Sequence, residues 1–256
     1  MTQAEASVRN STRLEPARKS VSRMVELNAE MADLWTTLGA PTPGRGRVIA
    51  FMSARNGEGV STVAREFAWF AANRASRRTW LIDLDLNGAA QCDALTVEPE
   101  RFGILGPAAA ATPDGSMFFT VQPPLRGPDG RSWSDARYLS AHRVGEKTLW
   151  VTRFRKDALQ GRQGVHVLPT ADYWNALRRH ADLVVIDVPA AQRSQAGLTI
   201  APFVDDVVIV LAADEPDVRS PALLRDAVID AGGHCTGLFF NRQTVVTPGF
   251  IRAILP

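Results

Sequence analysis

The chain has 256 residues, 45% of them hydrophobic, two cysteines and a net charge of +2. That length suits one larger α/β domain or two small ones, and it buries enough surface to fold without a disulfide or a metal. The charge is too small to make nucleic acid or an anionic membrane a main partner, and no apolar run approaches the ~20 residues that span a bilayer. No direct membrane insertion is therefore expected, and the N-terminus has no apolar core of signal-peptide length. Cys92 and Cys235 stand apart from any Cys-x-x-Cys or histidine pattern and read as buried, reduced thiols of a cytoplasmic protein. Lys19, Lys147 and Lys156 are the only lysines; the other basic residues are arginines.

In chain order, residues 1–20 mix Arg, Ser, Glu and Ala without periodicity and predict a disordered basic tail. From Val25 to Leu38, Leu27, Met31, Leu34, Trp35 and Leu38 fall at helical spacing, and a Pro/Gly linker from Ala40 to Arg47 ends that helix. Val48–Met52 is a short apolar run of the kind a doubly buried parallel strand shows. Ser61–Arg74 reads as a helix with Val63, Phe67 and Phe70 on one face. Thr79–Asp83, a weaker Gly164–Leu168, Leu183–Asp187 and Asp206–Leu211 follow as strands, then a helix at Ser220–Ala231 and a last strand at Thr236–Asn241. Strands alternating with helices predict an α/β fold: a doubly wound, mostly parallel sheet with helices on both faces.

One domain is expected over residues 21–256, interrupted by an insertion at about 88–163. Gly106–Ser134 reads as loop, and Thr148–Phe154 as a strand of an inserted hairpin. The basic residues around that hairpin (Arg137, His142, Arg143, Arg153, Arg155, Lys156) form either a solvated edge or a surface for partner docking or an in-trans phosphate contact.

The chemistry concentrates where the Val48–Met52 strand leaves through Ser53-Ala-Arg-Asn-Gly-Glu-Gly59 into a helix opened by Ser61. Strand, glycine-rich turn and Ser/Thr-led helix make a phosphate cradle: glycines let backbone N–H groups converge, and the helix N-terminus adds positive potential. A P-loop carries lysine before its Ser/Thr, and this one carries Val60. Two acidic strand ends accompany it, Asp83-Leu-Asp85 and Asp187-Val-Pro189. An acid ending an apolar buried strand is costly without a partner.

Gly57-Glu-Gly-Val-Ser-Thr62, Leu81-Ile-Asp-Leu-Asp-Leu-Asn87 and Leu183-Val-Val-Ile-Asp-Val-Pro189, in this order, resemble the bacterial tyrosine autokinases (BY-kinases) of the MinD/ParA branch of P-loop proteins. The resemblance runs from about residue 22 to 242 outside the insertion. It implies ATP or ADP wrapped by the backbone of Gly57, Glu58, Gly59 and Val60, with Thr62 at the α-phosphate. It implies Mg²⁺ held by Ser61, Asp85 and Asp187, Asp83 as base or orienting group, and Asn241 at the adenine. It also implies a membrane polysaccharide co-polymerase as partner, and so a peripheral place at the inner membrane.

Three departures qualify that picture. Val60 removes the charge that neutralises the β- and γ-phosphates, the largest electrostatic contribution to phosphoryl transfer, so nucleotide binding is expected to be weak or absent. Arg55 stands where MinD/ParA proteins carry a second lysine, and it is either a substitute or a solvated loop residue. The segment after Asn241 lacks the tyrosine-rich tail that such kinases phosphorylate, the only tyrosines being Tyr138 and Tyr173. The ring-forming Glu-Arg-Arg motif of the first helix is matched only by Glu30, Asp33 and Thr36. The expected function is thus a kinase-like regulatory subunit of exopolysaccharide or capsule synthesis with lost or weak activity. The alternatives are an active tyrosine kinase or ATPase using Arg55, or a ParA/MinD-like positioning ATPase; a homodimer fits any of them. Phe250–Leu255 is too short to hold a membrane and is expected to pack on the domain.

Overall fold

The computed structural model describes residues 27–88, 90–214 and 217–242. The expected basic tail, the start of the first helix at Val25, and Phe250–Leu255 lie outside the described residues. Continuous apolar runs form the sheet's inner strands, because a strand covered on both faces has no polar side to show. These are β1 (Arg47–Met52), β2 (Arg78–Asp83), β8 (Ala181–Asp187) and β9 (Asp206–Ala212), each buried almost throughout. Together with β3 (Ala109–Ala110), β5 (Leu139–Arg143), β6 (Leu149–Phe154) and β10 (Cys235–Asn241) they form one eight-stranded sheet in the order β10-β9-β1-β8-β2-β6-β5-β3. The strands from β10 to β6 are parallel; β5 and β3 add an antiparallel edge.

Side-chain alternation along β1 divides the core. Ile49 and Phe51 face a layer made by α1 (Asn28–Leu38), α2 (Val60–Ala72), α3 (Ala90–Val97) and the short α4 (Pro99–Phe102). Val48, Ala50 and Met52 face α5 (Asp172–His180), α6 (Ala196–Ile200) and α7 (Arg219–Asp230). Helix α1 docks through Met31 and Leu38, and Trp35 lies 6.2 Å from Phe67 of α2 between ring centroids. Glu30, Asp33 and Thr36 are on its solvent face.

Two parts of the middle region differ from the expectation. Gly164–Val167 is strand β7, but it pairs antiparallel with β4 (Phe119–Gln122) in a separate two-stranded sheet. Its residues are only half-buried, with His166 exposed, so the segment suits a one-sided cover and not a two-faced inner strand. The position beside β2 goes to β6, so the β5–β6 hairpin extends the main sheet. Phe118, Phe119 and Val121 pack beneath the small sheet against Tyr173 and Trp174 of α5, a helix absent from the sequence-based expectation. Of the basic residues there, Arg137 lies 3.7 Å from the Trp133 ring centroid and Arg143 donates to the Glu146 and Lys147 carbonyls. Cys92 is buried and Cys235 half-buried, both as free thiols. No helix among the described residues is long and apolar enough to cross a membrane.

Candidate nucleotide site

The site sits at the carboxyl ends of β1, β8 and β2, where open parallel sheets bind ligands. Leaving β1, the chain turns through Gly57 at φ +85° and Gly59 at φ +87°, values that disfavour any side chain. Gly59 caps α2, and its carbonyl accepts from the amides of Thr62 and Val63 at 3.0 and 3.1 Å. Glu58 is buried and folds back: its Oε2 accepts from the Arg55 amide at 2.8 Å. From the end of β10, Asn241 Nδ2 donates to the Glu58 carbonyl at 2.9 Å and Arg242 donates to the Gly57 carbonyl. The loop carbonyls are thus held outward, while the amides of Gly57, Glu58 and Gly59 make no hydrogen bond among the described residues. That arrangement leaves donors for an anion at a helix N-terminus.

Val60 does not point at that anion position. It opens α2 with its side chain 9% exposed, inside the apolar cluster that includes Phe51, Val63 and Phe67. Arg55 carries the nearest cationic side chain in the loop, and its Nη2 lies 2.8 Å from Asp217, the residue that caps the start of α7. A guanidinium in that ion pair is directed toward α7.

Pairing of β2 with β8 sets Asp83 directly beside Asp187. Both are buried, at 3% and 4% exposure. Burial, then the neighbouring Asp187 charge, pushes Asp83 up to about 7; burial raises Asp187 to about 6. Asp83 accepts from the amides of Asp85 and Gln91 at 3.0 and 3.1 Å, and its own amide donates to Thr152 Oγ1 of β6 at 3.1 Å. Ser61 Oγ donates to Asp187 Oδ1 at 3.1 Å, and Gln91 Nε2 donates to Asp187 Oδ2 at 2.6 Å. Asp85 is turned away from this pair and forms an ion pair with Arg193. Arg193→Ala is expected to leave the fold within about 1 kcal/mol of wild type, as for a half-exposed pair, checked by urea denaturation.

A hydroxyl and two carboxylates are hard oxygen donors of the kind Mg²⁺ prefers, so the donor set fits that ion chemically. When bound, Mg²⁺ would supply positive charge to offset that of the phosphates. Ser61 and Asp187 would hold it, with Asp83 beside them; the Gln91 amide lies among the same oxygens. The structure therefore brings together Gly57, Glu58, Gly59, Ser61, Asp83, Asp187 and Asn241, and sets Asp85 and Arg55 in separate ion pairs. Sequence reasoning does not reach Gln91, Thr152 or Arg193. Gln91 follows Gly88-Ala-Ala, which looks like loop, and only the fold places it on Asp187.

No protein-family model matches the sequence, and the search of curated proteins gives no match. Among solved structures, the VpsO kinase domain superposes with a TM-score of 0.51 at 20% identity, covering 85% of this chain and 95% of that one. The kinase domain of the Escherichia coli tyrosine kinase ETK gives 0.54 at 13% identity, covering 93% of this chain and 85% of that one. At these identities the likeness is one of fold. The fold is that of these tyrosine kinase domains: a mostly parallel α/β sheet with a glycine-rich loop after β1.

Proposed function

We propose that this chain is a kinase-like regulatory subunit of exopolysaccharide or capsule synthesis that binds a nucleotide weakly and does little or no phosphoryl transfer. The observation that carries the loss of activity is Val60, packed in the apolar core where a phosphoryl-transfer loop needs a cation facing the phosphates. The retained glycine conformations, outward-held carbonyls and paired acids support residual nucleotide binding. The kinase-domain fold and the three motifs support the pathway, with the cytoplasmic end of a membrane polysaccharide co-polymerase as the partner, a place at the membrane through that partner, and a homodimer across the nucleotide face.

The test is complementation. Deletion of the gene should alter exopolysaccharide yield or chain length, and Asp83→Ala should restore it as wild type does. A folded Asp83→Ala protein that fails to complement would favour an active kinase. In vitro, Val60→Lys should raise affinity for ATP with Mg²⁺ by roughly tenfold, the effect of one added charge-assisted contact, read by calorimetry. Unchanged affinity in a folded Val60→Lys protein would show that a lysine at this position does not reach a bound phosphate.

A further inference from the structure

The nucleotide role gives Gln91 no task, yet Gln91 is the most deeply engaged residue of the site. It is fully buried, at 0% exposure. A buried primary amide needs partners for both donors and for its oxygen. Here Nε2 donates to Asp187 Oδ2 at 2.6 Å and to the Ser61 carbonyl at 2.9 Å, while Oε1 accepts from Arg65 Nη1 at 3.3 Å. Its backbone amide meanwhile holds Asp83 Oδ2 at 3.1 Å. One residue thus serves both carboxylates, the side chain on one and the main chain on the other.

Mg²⁺ or Mn²⁺ held by Asp187 would draw on its carboxylate oxygen Oδ2. The Gln91 side-chain amide aims an N–H at that same oxygen, so a cation there would meet the positive end of the amide dipole. A neutral amide satisfies the oxygens without adding net charge. We infer that Gln91 is an internal stopper of the divalent-cation position, so that in this conformation the chain takes nucleotide without metal. The consequence for nucleotide choice rests on the binding role proposed above; the stopper itself does not.

Mn²⁺ titration of the full chain, followed by electron paramagnetic resonance without nucleotide, tests it. Wild type should bind no Mn²⁺ below about 1 mM, while Gln91→Ala and the isosteric Gln91→Glu should bind at least roughly tenfold tighter. Asp187→Asn in the Gln91→Glu background should abolish that gain. Gln91→Glu should also gain thermal stability with Mn²⁺, which wild type should not, and it carries the test if Gln91→Ala fails to fold. Wild type binding Mn²⁺ at micromolar concentration, or variants no tighter than wild type, would overturn the stopper. A parallel ADP titration separates the two ideas. The stopper predicts that Mg²⁺ leaves wild-type ADP affinity unchanged within about threefold and tightens Gln91→Glu by about tenfold. No ADP binding by any variant, with Mn²⁺ behaving as expected, would overturn the nucleotide role and leave the stopper standing.

Discussion

Asp187→Asn is expected to stabilise the protein by about 2–3 kcal/mol at pH 8 and to leave it unchanged near pH 4. The folded carboxyl titrates at about 6 against an ordinary value of 3.8, chiefly because it is buried. Below about 3.8 it is protonated in both states and costs nothing. As pH rises toward 6 the unfolded chain ionises first, so the folded state loses relative stability. Above 6 the full cost applies, at about 1.4 kcal/mol for each pH unit separating the folded and unfolded titrations. Asparagine removes the charge and can keep the contacts. Its oxygen can accept from Gln91 Nε2, and its amide can donate to Ser61 Oγ, with the hydroxyl reversing its role. Asp83 should benefit too, since the Asp187 charge helps raise it. Urea denaturation of both proteins at the two pH values measures the difference; an Asp187→Asn protein less stable at pH 8 would show that the carboxylate contributes stability.

Gly59→Ala is expected to cost about 2–4 kcal/mol. Its φ of +87° strains any L-residue by about 1–2 kcal/mol. A Cβ there would also lie 2.0 Å from Asn241 Nδ2, displacing the amide from its bond to the Glu58 carbonyl. The two contributions separate in a double-mutant cycle. With Asn241→Ala already present, Gly59→Ala should cost only the strain, leaving a coupling of about 1 kcal/mol. Strict additivity in denaturation midpoints would mean that Asn241 does not clasp the loop. The family resemblance implies a place for Asn241 at the adenine; the clasp ties the end of β10 to the phosphate loop directly.

What is legible in the sequence follows from chain-local physics. β1, β8 and β9 announce themselves because strands covered on both faces must be apolar throughout, and Asp187 at the end of β8 stands out against that background. The β1–loop–α2 unit needs only adjacent residues. The small sheet is illegible: β4 and β7 are half-apolar, and β7 finds its partner more than forty residues away in the chain, a pairing no local pattern encodes. Helix α5 escapes sequence reading because it has only nine residues and ends in Arg178, Arg179 and His180, which masks Tyr173, Trp174 and Leu177. The role of Gln91 depends on where α3 lands against β8, which is tertiary. In the sequence Val60 reads only as a missing charge; the structure places it, buried, in the apolar cluster on the α2 side of the sheet.

Equilibrium dialysis of the full chain against ATP and Mg²⁺, with ATP and ADP quantified on both sides, tests the central claim most directly. A P-loop that keeps its cradle but lacks the phosphate cation predicts ATP enriched on the protein side, with a dissociation constant of about 0.1–1 mM, and recovered as ATP. Accumulation of ADP that Asp83→Ala abolishes, or no enrichment of ATP at all, would contradict it.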